Sequence, residues 1–156
     1  MIKNEDWTLV SASGNTSNWE KRLWKFDKHY QWIGGSGGAG VGYGAPAAVG
    51  GALANKKHGR ISVTIQGDGD FMYAPGVWWT AAHHKLPLLA VMHNNRAYHQ
   101  EVMHVQRMGN RHNRGVTRAH IGTTLEDPFI NFAQIVKGMG VYSKAQSAIR
   151  TISARR

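Results

Sequence analysis

Two short apolar runs constrain the fold of this chain more than anything else in it. Ile61-Ser62-Val63-Thr64-Ile65 is β-branched, and Leu88-Leu89-Ala90-Val91-Met92-His93 is apolar nearly throughout. A helix-length segment, Pro75 to His84, separates them. Strand, helix and strand at this spacing form a crossover unit, which makes the two strands parallel. The apolar character of the second run predicts a strand buried on both faces. Upstream, Trp7 to Ala12 predicts another strand, and Asn18 to Lys28 an amphipathic helix with Trp19, Leu23, Trp24 and Phe26 as its apolar positions. Pro46 opens a helix through Ala54, because proline suits the first helical turn. Downstream, a helix follows Tyr98, a basic loop comes next, and Asp127-Pro128 starts a last helix through Lys137. Val141-Tyr142-Ser143 is a candidate further strand. The expected fold class is α/β: a three-layer, doubly wound, mostly parallel sheet with helices on both faces.

Composition narrows the function classes. At 156 residues the chain has the size of one domain. It has no run of about 18 apolar residues, so no transmembrane helix is expected, and its polar first six residues lack the apolar core of a secretory signal. A cytoplasmic location is the expectation. Without cysteine there is no disulfide or thiolate chemistry. The net charge of +10 raises nucleic acid as a partner. The densest basic stretch holds Arg107, Arg111, Arg114 and Arg118 with no aromatic residue between the first and last of them. A stacking surface for single strands needs interleaved aromatics, so a basic nucleic-acid-binding α/β domain is the weaker alternative. The six tryptophans suit core and interface packing. Trp78 and Trp79 are adjacent on one helix and cannot both face its core. The nine histidines contain no zincin pattern.

In parallel α/β sheets ligands sit beyond the carboxyl ends of the strands. Here those ends carry Gly67-Asp68-Gly69-Asp70 and Asn94-Asn95-Arg96-Ala97. A right-handed crossover brings both ends to one edge, so that Asp68 and Asn95 point at a common spot. A carboxylate and a carboxamide are hard oxygen ligands, suited to Mg²⁺ or Ca²⁺, with a backbone carbonyl, water and phosphate oxygens completing the shell. Glycines flanking Asp68 allow the backbone to approach a phosphate closely. Taken alone, Gly-Asp-Gly is also an ordinary turn. Nine of the 19 glycines fall between Gly34 and Gly51. Among them Gly35-x-Gly37-x-x-Gly40 matches a dinucleotide fingerprint in form, but no acidic residue lies between Asp27 and Asp68 to hold a ribose. No Gly-Lys-Ser or Gly-Lys-Thr is present, which excludes a P-loop.

These segments resemble the C-terminal, diphosphate-binding domain of thiamine-diphosphate-dependent enzymes, in the acetolactate synthase, benzoylformate decarboxylase and pyruvate decarboxylase group. The resemblance rests on Gly67-Asp68-Gly69 followed by Asn94-Asn95, whose second asparagine lies 27 positions after Asp68. It is carried further by Gly42-Tyr43-Gly44-Ala45-Pro46-Ala47-Ala48, by Val77-Trp78-Trp79-Thr80-Ala81-Ala82 and by Leu86-Pro87. It covers roughly residues 5 to 143, leaving 144–156 as an unmatched basic tail and the fold C-terminally incomplete. The resemblance implies thiamine diphosphate and Mg²⁺ as cofactors. It implies Asp68, Asn95 and the Ala97 carbonyl as metal ligands, and Gly67, Gly69 and Asp70 as the turn around the diphosphate. Many relatives carry serine at the place of Asp70, and a second carboxylate suits that place only if it turns away from the phosphates. Val41 matches the apolar residue that props the cofactor into a bent shape, and Ala39 the carbonyl that accepts from its aminopyrimidine. Glu101 falls where one branch of the group carries a catalytic glutamate.

The resemblance also implies what else is needed. The glutamate that activates the cofactor belongs to a pyrimidine-binding domain from another segment or a partner chain. The expected substrate is a 2-oxo acid, the expected whole enzyme a homo-oligomer, and the expected behaviour of this chain alone, as a fragment, is inactivity; a non-catalytic remnant that keeps the enzyme fold is the other alternative.

Overall fold

The computed structural model describes residues 2, 4–12, 19–35, 38 and 40–144. Three strands, β1 (Trp7–Ala12), β2 (Ile61–Gly67) and β3 (Leu88–His93), form a parallel sheet in the order β1-β2-β3. Ser62 pairs with Leu88 and the register runs unbroken to Gly67 opposite His93. The loops after β2 and β3 therefore leave the sheet level with each other, as the crossover argument requires.

Strand alternation splits the sheet into two unlike faces. On one face lies α2 (Gly44–Lys56), which buries Ala45, Ala48, Val49 and Ala52. Small residues let the helix approach: a Cβ on Gly51 would stand 2.8 Å from Val10 Cγ2. At the far end of α2, Asn55 Nδ2 donates to Ser62 Oγ at 3.0 Å. The helix starts two residues before Pro46, which still sits in the first turn where its missing N–H has no acceptor to lose. Beside it, Ala45, Phe71, Trp78 and Phe132 form a core with Leu88 and Met92 packed against it. This core draws together α3 (Asp68–Phe71), α4 (Val77–His83) and α6 (Phe132–Gly138). Phe71 stacks on Trp78 at 6.0 Å and meets Phe132 edge-on at 5.1 Å. Of the tryptophan pair, Trp78 is in this core and Trp79 lies outside, stacked on His83 at 4.9 Å.

The other face carries Trp7, Leu9 and Val63, covered by Trp24, Phe26 and Trp32. The helix expected over Asn18–Lys28 is cut to α1 (Trp19–Leu23). Trp24 and Phe26 both contact Trp7, at 5.3 and 5.5 Å. Residues two apart point to opposite sides of a helix, so the chain must leave the helix to place both on one cluster. Leu23 is accordingly exposed.

Three further expectations are corrected. β3 is not buried on both faces: Leu89 is 42% and Val91 48% exposed, because the aromatic cover reaches only β1 and β2. Residues 141–143 form no strand; Val141 joins the core and Ser143 Oγ donates to Ala133 O at 2.7 Å. The last helix begins at Phe132 rather than at Asp127-Pro128, where Asn131 Oδ1 accepts from Gln134 N at 3.0 Å and caps it. The remaining helix, α5 (His99–Arg111), buries none of its residues. Among the described residues no helix is long and apolar enough to cross a membrane.

Candidate functional site

The site is built where β2 and β3 end. Gly67 is extended, and the chain then makes the single helical turn α3. On a turn of 3.6 residues, side chains two apart diverge by about 200°, so Asp68 and Asp70 go to opposite partners. Asp68 is 1% exposed. Its Oδ2 accepts the Ala97 N–H at 3.2 Å. The same N–H also lies 3.2 Å from Asn95 Oδ1. The carboxylate from β2 and the carboxamide from β3 thus meet at one atom, as the spacing predicts.

The loop after β3 has a fixed shape. Arg96 takes φ 59°, its N–H donates to Asn94 Oδ1 at 3.1 Å, and its carbonyl accepts from Leu125 N at 2.7 Å. Tyr98 N donates to Thr123 O at 2.8 Å, so the loop is held from both sides of Ala97. The Tyr98 ring lies over Gly69, where an added Cβ would come within 2.6 Å of it. Burial raises the Tyr98 hydroxyl above its ordinary pKa, and the neighbouring Tyr73 and Asp68 push it the same way, so it stays a neutral phenol.

Asp70 faces the glycine-rich segment. Its Oδ1 accepts the Gly42 N–H at 2.5 Å. Gly42 has φ +94°, and Tyr73 covers it so closely that a Cβ would stand 2.7 Å away. Val41, one residue before, is half exposed at the same loop. Glu101 is exposed on the first turn of α5. Ala39 lies outside the described residues. Tyr73 and Tyr98 carry no motif in the sequence; Tyr98 directly follows Ala97, but nothing in the spacing says that its ring closes on Gly69.

One observation tests whether these residues fit a metal. Asp68 Oδ1 is buried and has no hydrogen-bond partner among the described residues. A buried carboxylate oxygen without a partner is costly, and a hard divalent cation supplies what it lacks. Among the described residues no three His, Asp or Glu side chains gather as a metal cluster. A cation at Asp68 would therefore draw on carboxamide, backbone, water or ligand oxygens, the donor set Mg²⁺ accepts. The residues fit.

Fold and site together define a parallel α/β domain with its candidate ligand groups at the carboxyl edge of the sheet. Residues 12–154 match the family described as thiamine pyrophosphate enzyme, C-terminal TPP binding domain. The chain is 30% identical over 133 residues to the acetolactate synthase isozyme 1 large subunit of Escherichia coli, covering 85% of this chain and 22% of that protein. It is 32% identical over 88 residues to the chloroplastic acetolactate synthase 2 of Brassica napus, covering 56% of this chain and 14% of that protein. Among solved structures, the thiamine diphosphate-dependent 4-hydroxybenzoylformate decarboxylase of Rhodococcus jostii superposes with a TM-score of 0.69 and 28% identity, over 88% of this chain and 24% of that one. The chain belongs to the family of C-terminal TPP-binding domains of thiamine pyrophosphate enzymes. It spans about a quarter or less of the length of these relatives.

Proposed function

We propose that this chain is the part of a 2-oxo acid decarboxylase or carboligase that holds the diphosphate and metal end of the cofactor. The observation that carries the reading is the orphaned, buried Asp68 Oδ1 beside the Ala97 and Asn95 loop. Asp68 and Asn95 hold Mg²⁺ through side-chain oxygens, and Ala97 through its carbonyl. Gly67 and Gly69 leave room for the diphosphate at the turn, and Val41 props the cofactor's bent shape. Ala39 is assigned to the aminopyrimidine by resemblance. Thiamine diphosphate, when bound, supplies the electron sink for breaking or making a bond next to a keto group. Glu101 is the candidate for a proton-handling group, since its exposed place early in α5 leaves it free to meet a substrate held by other domains. The activating glutamate comes from a pyrimidine-binding domain in another segment or chain, and the assembled enzyme is a homo-oligomer.

The test is thermal melting of the purified chain with Mg²⁺ and thiamine diphosphate. A ligand that binds the native state raises the midpoint. The expected rise depends on both components and disappears in Asp68→Ala. A rise of the same size in that variant would overturn the metal assignment. The chain alone is expected not to turn over 2-oxo acids; turnover by it would overturn the division of labour between domains.

A further inference from the structure

We propose that Asp70 is a positioning strap that couples the two halves of the cofactor cradle, and that it does not itself touch the diphosphate. The inference rests on the cofactor-binding reading above and adds to it a residue of this chain with a different job.

The diphosphate half is the α3 turn with Asp68; the other half is the loop through Val41. Asp70 Oδ1 takes the Gly42 N–H at 2.5 Å and joins the two. Its Oδ2 sits over the start of α2, 2.7 Å from where a Cβ on Gly44 would be, with the buried Gln66 carboxamide equally close. A carboxylate there also faces the positive end of a 13-residue helix. Tyr73 closes the same joint by packing on Gly42, and its ring meets Tyr98 edge-on at 6.1 Å. The helical turn sends Asp68 and Asp70 apart, so the strap leaves the metal side free. The charge is spent on the loop rather than set against phosphate oxygens. A serine at this position is shorter by one carbon and cannot span from α3 to Gly42 without moving one of them.

The experiment uses the purified chain, Asp70→Ser and Asp70→Asn, with two measurements. In metal-free protein, amide exchange at Gly42 is expected to rise roughly tenfold or more in Asp70→Ser, the size expected for losing a hydrogen bond to a charged group. Asp70→Asn keeps the shape and an acceptor oxygen, so it retains most of the protection and guards against a fold defect. Exchange at Ala97 is expected to be unchanged in both. The second measurement is the melting shift with Mg²⁺ and pyrophosphate against the shift with Mg²⁺ and thiamine diphosphate. Pyrophosphate occupies only the Asp68 half, so its shift is expected to survive in Asp70→Ser while the thiamine diphosphate shift shrinks. Equal loss with both ligands, or unchanged Gly42 exchange in Asp70→Ser, would overturn the strap. If the wild-type chain responds to neither ligand, the cofactor reading fails, and the Gly42 exchange still decides whether Asp70 straps the loop.

Discussion

Replacing Asp68 with alanine is expected to stabilise the metal-free protein while abolishing its response to metal. The residue is 1% exposed and one of its carboxylate oxygens has no partner among the described residues. A buried acceptor left unsatisfied costs about 1–3 kcal/mol, and more if charged. Against this, the variant loses the bond from Ala97 N–H to the carboxylate Oδ2, worth about 1.5–3 kcal/mol for a charged acceptor, so that the gain comes from the larger cost of the unsatisfied charged oxygen. That N–H is not orphaned, however, because Asn95 Oδ1 also lies 3.2 Å from it. The balance is a net gain of about 1 kcal/mol, or roughly 2–4 °C for a chain of this length. The assay is urea and thermal unfolding of both proteins in EDTA, then in Mg²⁺ with thiamine diphosphate. At about 100 times the dissociation constant, ligand adds about 2.7 kcal/mol to wild type and nothing to the variant, so the order of stabilities reverses. An Asp68→Ala protein less stable than wild type in EDTA would show that the carboxylate is satisfied without a cation, and the argument for a built metal site would fall.

Two other perturbations follow from the same geometry. Gly69→Ala places a Cβ 2.6 Å from the Tyr98 ring, whose backbone is pinned to Thr123, and is expected to cost about 1–3 kcal/mol in urea unfolding. Adding Tyr98→Ala should recover part of that cost in a double-mutant cycle, and strict additivity would rule out the contact as its source. At the opposite end of the sheet, the Tyr30 hydroxyl hydrogen-bonded to Asp6 holds its carboxyl below the ordinary pKa, opposed by burial and aided by Arg60 and Lys28. A lowered folded pKa makes this contribution full above the ordinary carboxylate range and lost as pH falls through it and below. The stability difference between wild type and Asp6→Asn should therefore be full at neutral pH, begin to shrink only as pH falls through about 4, vanish below the lowered folded pKa, and shrink in salt, since the group is partly solvated; a difference constant across pH would exclude the charge as its origin.

What the sequence disclosed and what it hid divide along physical lines. β1 and β3 begin and end where their residue patterns predict, because an apolar run between turn residues is a local signal. Asp68 and Asn95 meet because parallel neighbours in register bring strand ends together, which topology alone dictates. The burial of β3 was not legible: an apolar strand is one that tolerates cover, and whether Leu89 and Val91 receive it depends on which elements pack there. The end of α1 was hidden for a related reason. Trp24 and Phe26 continue a plausible helical pattern, but packing on Trp7 and Trp32, residues distant in sequence, outweighs the weak helical preference of two aromatic residues.

The second aspartate of Gly67-Asp68-Gly69-Asp70 shows how far such reading extends once a local geometry is known. In sequence the two carboxylates look like one acidic cluster, and a cluster of that kind beside a diphosphate is electrostatically unfavourable. The conflict disappears if the segment is a helical turn, because residues two apart then face away from each other. One carboxylate goes to the Ala97 N–H and the other to the Gly42 N–H. An extended strand would have put both on the same face, since its side chains repeat every two residues. The short helix after β2 is therefore what allows an acidic residue at this position at all, and it turns an apparent liability at the phosphate into a contact that holds the glycine-rich loop.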